Sequence, residues 1–455
     1  MEKIIIPFRR AFEREEGYAL AEVLSPLPPS DDPERFYAIQ RSANSFTIQS
    51  DLRSAFKSVR LDPQEREIWV DVFVHYWKSI NDILAAEAAT ALDSNPPDWT
   101  QVYTSWKELL NFIHRGYTQS HFPPWTIPIL YTVTKHLRTF AIRADATILP
   151  STSASPGVNS LDEPSTDSTT SHPNLEDCAR QINRIFALVT QDRSPPPNRK
   201  YGTYYIALLL FRTYFRLSSI SLCKNIIRSI NAASAADMPA LELFPKAHQV
   251  GYRYYVGVVA FLDERYEDAL RELEAAYGAC LAGPGGARQA ERILGYLVPT
   301  QLLVRHRLPR QGLLEQYPAL EGLYKPLCTA VRKGDLGAFD AALAAGEDQF
   351  VRRRVYLTLE RGRDVCLRNL FRRVYLAGGW DEKVGETGDR VRRSRFPVAE
   401  FAAGMRIMGL QAEGDEVEAL VAGLIYKGLI KGYISRQHGM VVLNKKGGAF
   451  PGTGV

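Results

Sequence analysis

Long apolar runs are missing from this sequence of 455 residues. None approaches the roughly 18–20 residues that a membrane helix needs. The apolar start Met1-Glu2-Lys3-Ile4-Ile5-Ile6-Pro7 is cut off by Phe8-Arg9-Arg10 and is too short for a secretory leader. Cysteine is scarce. The five present (Cys178, Cys223, Cys280, Cys328, Cys366) are odd in number and make no CxxC pair. That argues against a disulfide framework or a zinc site, and for a reducing compartment. Catalytic signatures are missing too. The eight histidines (His75, His114, His121, His136, His172, His248, His306, His438) form neither HExxH nor an HxH-plus-Asp pattern. Gly283-Pro284-Gly285-Gly286 lacks the Lys-Ser/Thr of a phosphate-binding loop and reads as a surface turn. Cys366 has arginines nearby, but Val365-Cys366-Leu367 reads as a helix face turned inward, so a small buried residue is expected rather than a thiolate. The expectation is a soluble, intracellular chain with no membrane contact, no cofactor, no metal and no catalytic residues.

What is present is ordinary globular material. Apolar residues make up 45% and charged residues 24%, which excludes a mainly disordered or fibrous chain. The length calls for two or three domains. The net charge of +5 is unevenly placed. Between Phe350 and Arg395 there are 13 Lys/Arg against 6 Asp/Glu, so the rest of the chain is slightly acidic. A surplus held in one stretch suggests an acidic partner, nucleic acid or protein, unless it is a solvated face paired with acids elsewhere.

Residues 1–150 read as helices broken by proline. Leu20 to Leu24 stops at Ser25-Pro26-Leu27-Pro28-Pro29, and a new helix starts at Asp62-Pro63. Ile68, Trp69, Val72, Phe73, Tyr76, Trp77 and Ile80 then make one buried helical stripe. Trp99, Val102, Tyr103, Trp106, Leu109, Leu110 and Ile113 repeat it, so these aromatics are expected in the core. Residues 151–174 differ in kind: 14 of the 24 are Ser, Thr or Pro. Such a stretch buries too little apolar area to offset its ordering entropy, and reads as a flexible insertion and candidate phosphorylation target.

Helices resume over 175–349, at Leu175 to Thr190, Tyr201 to Leu217 and Leu222 to Ile230, with the close spacing of a solenoid. Gly251 to Leu270 is the most repeat-like part and resembles a tetratricopeptide unit. Gly257 and Ala269 occupy the small-residue positions where two helices meet, Asp263-Glu264-Arg265 makes the turn, and Ala276 admits the next helix. Further on, Gly334 closes a helix and Asp335 caps the next. Residues 350–395 form an Arg-rich helix and glycine-flanked loop, and 396–455 a last segment with a tail. There Asp415 to Gly428 is a helix with stripe Val417, Leu420, Val421, Leu424 and Ile425. Leu429 to Ile434 and Met440 to Leu443 are strands around a turn at Ser435 to Gly439. Helix, helix, strand, strand is the order of a winged helix.

The expected fold class is therefore mainly α: a TPR-like helical-repeat solenoid followed by a C-terminal winged helix. Tyr254-Tyr255-Val256-Gly257, Leu297-Val298-Pro299, Arg368-Asn369-Leu370-Phe371-Arg372-Arg373-Val374-Tyr375-Leu376 and Leu424-Ile425-Tyr426-Lys427-Gly428 carry a resemblance. Together they resemble a PCI domain, and within that group the subfamily of the Thp-type subunit of the second transcription-export complex and its relative, the signalosome-related subunit twelve. The likeness covers roughly Leu175 to Leu443.

The resemblance implies a non-catalytic scaffold in nuclear mRNA biogenesis, pairing with a larger PCI-domain protein (Sac/Thp type) and a small acidic DSS/Sem-type protein. It places the chain in the nucleus, the nuclear pore included, with a cytoplasmic share. The alternative is a structural subunit of a COP-nine-signalosome- or proteasome-lid-like assembly without a nucleic-acid role. Partner pairing is expected through an exposed strand at Val441, Val442 and Leu443. The acidic protein is expected near Arg352, Arg353 and Arg354, which precede apolar Val355, Tyr356, Leu357 and Leu359. Sequence-nonspecific RNA or DNA binding is expected at Lys427, Lys431 and Arg436 around the wing. A second group, Arg372 and Arg373 on the preceding helix with Arg390, Arg392, Arg393 and Arg395 in the loop beside it, could extend that surface.

Overall fold

Proline, glycine and capping acids set the helix boundaries of this chain, and the computed structural model follows them. The described residues are 1–92, 97–120, 122–148, 172–234, 238–384, 390–444 and 448–451. The chain divides into two compact units, Met1–Tyr255 and Val256–Val455, with the division inside one helix.

The first unit is helical. It contains α1 (Glu2–Glu13), α2 (Gly17–Val23), α3 (Arg35–Arg41), α4 (Ile48–Phe56), α5 (Pro63–Leu92), α6 (Trp99–Gln119), α7 (Pro128–Ile148), α8 (Pro173–Thr190), α9 (Thr203–Arg216), α10 (Ile220–Ser234) and the start of α11 (Lys246–Leu262). α2 ends just before Ser25-Pro26, and α5 starts at Pro63, where Asp62 accepts from the Gln64 amide at 3.1 Å. Both aromatic stripes are core. Trp69 stacks on Phe122 at 4.4 Å between centroids, and the Trp106 indole donates to the Val133 carbonyl at 2.9 Å. Ile68 alone in the two stripes is half-buried.

The Ser/Thr/Pro-rich insertion lies outside the described residues over 151–171, whereas Pro173 and Asn174, read as its end, open α8. Asp145 of α7 ties that start down. Its carboxylate is 2% exposed and accepts from the Asn174 amide and side-chain nitrogen and from the Leu175 amide, each at 3.0 Å. An anion at a helix N-terminus satisfies amides that have no partner within the helix. Asp145→Ala should therefore cost about 2 kcal/mol, because buried donors lose their acceptor. The measurement is the urea midpoint, and Asp145→Asn should recover part of the loss.

The second unit continues with α12 (Tyr266–Ala279), α13 (Pro284–Arg305), α14 (Gln311–Leu314), α15 (Pro318–Lys333), α16 (Leu336–Ala345), α17 (Glu347–Arg352), α18 (Tyr356–Glu360) and α19 (Arg363–Ala377). The repeat-like spacing holds. A Cβ on Gly257 would lie 2.8 Å from Leu273 Cγ, and Ala269 and Ala276 are fully buried. Gly334 ends α15 at φ 67°, and a Cβ there would meet the Leu370 amide of α19 at 2.5 Å. Asp335 caps α16 by accepting from the Ala338 amide at 2.9 Å.

After α19 come a hairpin, β1 (Trp380–Val384) with β2 (Arg390–Arg392), and then β3 (Arg395–Pro397), α20 (Val398–Ile407), α21 (Gly414–Tyr426), β4 (Gly432–Ser435) and β5 (Met440–Leu443). The last five form a winged helix with an antiparallel sheet in the order β3-β5-β4. The fold class is mainly α, helical repeats followed by a C-terminal winged helix.

Two expectations are corrected here. The stretch holding Arg390, Arg392, Arg393 and Arg395 is not a loop, since Arg390 and Arg392 lie on β2 and Arg395 on β3. Nor is Met440 to Leu443 an exposed edge: β5 is the central strand, with both of its backbone edges paired, and Val441 and Leu443 are buried. In an antiparallel sheet alternate side chains face alternate sides. Phe396, Val441 and Ile434 therefore face the helices, while Arg395, Val442 and Tyr433 form a row across the outer face.

Candidate functional site

Helix α19 joins the repeats to the winged helix. Phe371 meets Phe401 of α20 at 5.0 Å between centroids, and Tyr375 meets Phe396 of β3 at 5.7 Å. Arg368, 2% exposed, sits in the same helix. Its guanidinium donates to Asn369 Oδ1 at 2.7 Å and to the Pro451 carbonyl at 2.9 Å, and lies 5.6 Å from the Phe450 ring centroid. No carboxylate is paired with it among the described residues. Burial, with Arg372 adding like-charge repulsion, lowers its pKa to about 10. Phe450 also packs on Tyr375 at 5.4 Å, and the Lys431 amide donates to the Ala449 carbonyl at 2.7 Å. The segment after β5 thus straps the winged helix to α19.

The basic residues singled out from the sequence have different surroundings. Lys427 is held at 2.5 Å by Asp364 in the first turn of α19. Arg436 lies 3.8 Å from Glu418, and Lys431 is exposed. Glu418 lies in α21 and Lys427 follows its last residue, nine positions on, about 13 Å at 1.5 Å per residue. Arg436 is therefore placed near the start of α21 and Lys427 at its end.

Arg393 makes a two-pronged ion pair with Glu400 of α20, at 2.7 and 3.4 Å, and donates to the Arg395 carbonyl at 2.9 Å. It staples β3 to α20. Arg392 stacks 4.3 Å over Trp380 and reaches the Leu376 carbonyl at 3.4 Å. Arg372 and Arg373 are exposed on α19, and Arg395 is exposed on the outer sheet face.

The partner-binding expectation changes in detail. Val355 and Leu359 are core residues, and Arg353 hydrogen-bonds Tyr324, whose hydroxyl donates to the Gly295 carbonyl at 2.8 Å. Arg352 and Arg354 remain exposed beside Val351 and Leu357, the apolar residues that face solvent there. Cys366 is buried and its thiol is pushed up to about 12 by that burial, as expected of a core residue. Among the described residues no three His, Cys, Asp or Glu side chains gather into a metal-binding group, and no helix is long and apolar enough to cross a membrane.

Sequence reasoning did not single out Trp380, which is exposed. Trp380 was discoverable: it is the one tryptophan after Trp125, and it follows Gly378-Gly379.

These features define a PCI-type protein, and the PCI domain family matches residues 343–445. "Protein CSN12 homolog" of Gibberella zeae is 45% identical over 98% of both chains. The protein of that name from Neurospora crassa is 46% identical over the full length of both, and the Schizosaccharomyces pombe one is 37% identical over 74% of this chain and 75% of its own. The chain belongs to the CSN12-homolog family of PCI-domain proteins. Of the two branches considered from the sequence, the full-length likeness favours the subunit-twelve one.

The strap generates a prediction. Phe450→Ala should expose Arg368 and empty the space against Tyr375, costing about 3 kcal/mol. Denaturant unfolding of the full chain would show this as a lower midpoint, with Phe450→Leu intermediate.

Proposed function

We propose that this chain is a non-catalytic scaffold subunit of a signalosome- or proteasome-lid-like assembly, joined to other PCI-domain subunits through its winged helix. The observation that carries the reading is the outer row Arg395–Val442–Tyr433, which crosses all three strands and ends in a tyrosine 63% exposed. Aromatic and arginine side chains around an apolar centre are the usual anchors of protein interfaces. The full-length likeness to proteins named CSN12 homolog supports the same reading. The solvent face of α21 begins with Asp415 and Glu416 and continues through Ala419 and Ala422 to Tyr426, all exposed. Acids at that end would repel the phosphates of a duplex, whereas a protein surface tolerates them.

A second reading keeps the chain in nuclear mRNA biogenesis, with a larger PCI partner of the Sac/Thp type and a small acidic DSS/Sem-type protein. Arg352 and Arg354 beside exposed Val351 and Leu357 favour it, since an acidic chain with apolar anchors fits such a rim.

Affinity purification of the tagged chain from cells separates the two by the subunits recovered. Val442→Asp with Tyr433→Asp should remove the PCI-domain partners and leave helical circular dichroism unchanged. Recovery of the full set with the double variant would show that the sheet face is not the interface.

A further inference from the structure

We infer that a groove in the first unit, between α1, α2 and the turn before α3, docks the C-terminal end of a partner chain, with Arg35 receiving its terminal carboxylate. Lys3, Ile6, Pro7 and Arg10 recur at the spacing of one face of α1 and form one wall. Ala19, Glu22 and Val23 of α2 form the other, and Asp31 stands at the rim. The space between is about 500 Å³, the size of pockets that hold a small organic ligand. Arg35, the first residue of α3, lines the same groove although it is only 6% exposed. Its guanidinium makes one hydrogen bond among the described residues, to the Val23 carbonyl at 3.1 Å, and its Nε–H has no acceptor there. Nor is a carboxylate paired with it among those residues. Arg368 is buried in a similar way but has two acceptors and a ring face. A guanidinium carries five donors, and a buried cation with most of them unused is costly until an acceptor arrives.

The surroundings of Arg35 set the ligand class. A planar fork of N–H donors matches a carboxylate or a phosphate, and the rim selects between them. Asp32 is taken up by Lys3 at 2.7 Å, but Glu22 and Asp31 are exposed and have no ion-pair partner among the described residues. Two unpaired acids at the entrance repel a dianion or an acidic run more than they repel a single carboxylate. Ile6, 53% exposed, lies with Pro7, Ala19 and Val23 along the groove and gives apolar cover to the residue that carries that carboxylate. A chain end brings one carboxylate on a single departing backbone, whereas an internal Asp or Glu needs room for backbone on both sides. The occupant that fits is thus a chain ending in an apolar residue. A basic residue a few positions earlier would meet Glu22 or Asp31, and Arg10, exposed and likewise unpaired on the α1 wall, adds attraction for the carboxylate. This groove belongs to the first unit and the sheet row of the scaffold reading to the second, so failure of one leaves the other standing.

The test uses the full chain and fluorescein-labelled hexapeptides that end in Leu, Val or Phe with Lys three positions earlier, each made as the free acid and as the C-terminal amide. A matching set carries Glu in place of Lys. Fluorescence anisotropy should show the Lys-containing acids binding on the order of tenfold more tightly than their amides, the difference that a charge-assisted hydrogen-bonded pair supplies. Arg35→Met should remove that difference. Ala19→Phe, which fills the groove and leaves Arg35 in place, should abolish binding of acid and amide alike. Glu22→Lys with Asp31→Lys should keep the acid-over-amide ratio and reverse the preference for Lys over Glu. Far-ultraviolet circular dichroism identifies a variant that has lost its fold; if Arg35→Met is such a variant, Ala19→Phe decides. Equal binding of acid and amide would overturn the inference, as would wild-type affinity in folded Ala19→Phe or an acid preference that survives in folded Arg35→Met. An amide with an internal Glu bound as tightly as the free acids would overturn it in favour of an acidic side chain. No peptide binding at millimolar concentration, with inorganic phosphate raising the melting temperature of the wild type and not of Arg35→Met, would overturn it in favour of a small-anion site.

Discussion

A buried guanidinium with no carboxylate paired to it among the described residues is the constraint on which the C-terminal part of the chain depends. Arg368 cannot leave its charge unsolvated, because transfer of an ion from water to protein interior is strongly unfavourable unless hydrogen bonds and nearby π electrons replace the water. Its replacements are Asn369 Oδ1, the Pro451 carbonyl and the face of Phe450. Two of these three come from the segment after β5, so α19 and the end of the winged helix have to be in place together. Asn369 extends the link inward by donating to the Val331 carbonyl of α15 at 2.8 Å. That carbonyl lies in the turn closed by Gly334, where a side chain would collide with α19. One chain of contacts thus runs from a helix of the repeats to the strap over the winged helix.

Much of this fold was legible in the sequence where a single residue type has a single physical use. Gly334 and Asp335 ended one helix and began the next because only glycine is comfortable at φ 67° and a carboxylate accepts from a free amide. Gly257, Ala269 and Ala276 marked a helix pair through their lack of side-chain volume. The aromatic stripes of α5 and α6 announced a core by spacing alone.

What failed to show were the strands before α20, β1, β2 and β3. β2 and β3 are three residues each and carry Arg390, Arg392 and Arg395, so no apolar alternation set them apart from a charged loop. Missing β3 then turned β5 from a central strand into an apparent edge, and one unseen strand moved the expected interface from a backbone edge to a sheet face. The order of strands in a sheet is a long-range property that a local pattern does not contain.

The arginines make the same point about the site. From composition, residues 350–395 hold one block of positive charge, and every cation in it looks alike. In the structure Arg368 is buried, Arg353 is turned to Tyr324, Arg363 is paired with Asp340 at 2.9 Å, Arg393 with Glu400, and Arg392 is laid on an indole. Arg372 and Arg373 face solvent, with no such partner among the described residues. Exposed ion pairs contribute little to stability, so the pairs of Arg363 and Arg393 matter mainly in fixing where those side chains point. Their consequence is electrostatic: a cation already paired with a carboxylate releases few counterions when a phosphate approaches. The effective charge of the segment towards a polyanion is thus smaller than its formal surplus of +7, the 13 Lys/Arg against 6 Asp/Glu of the sequence.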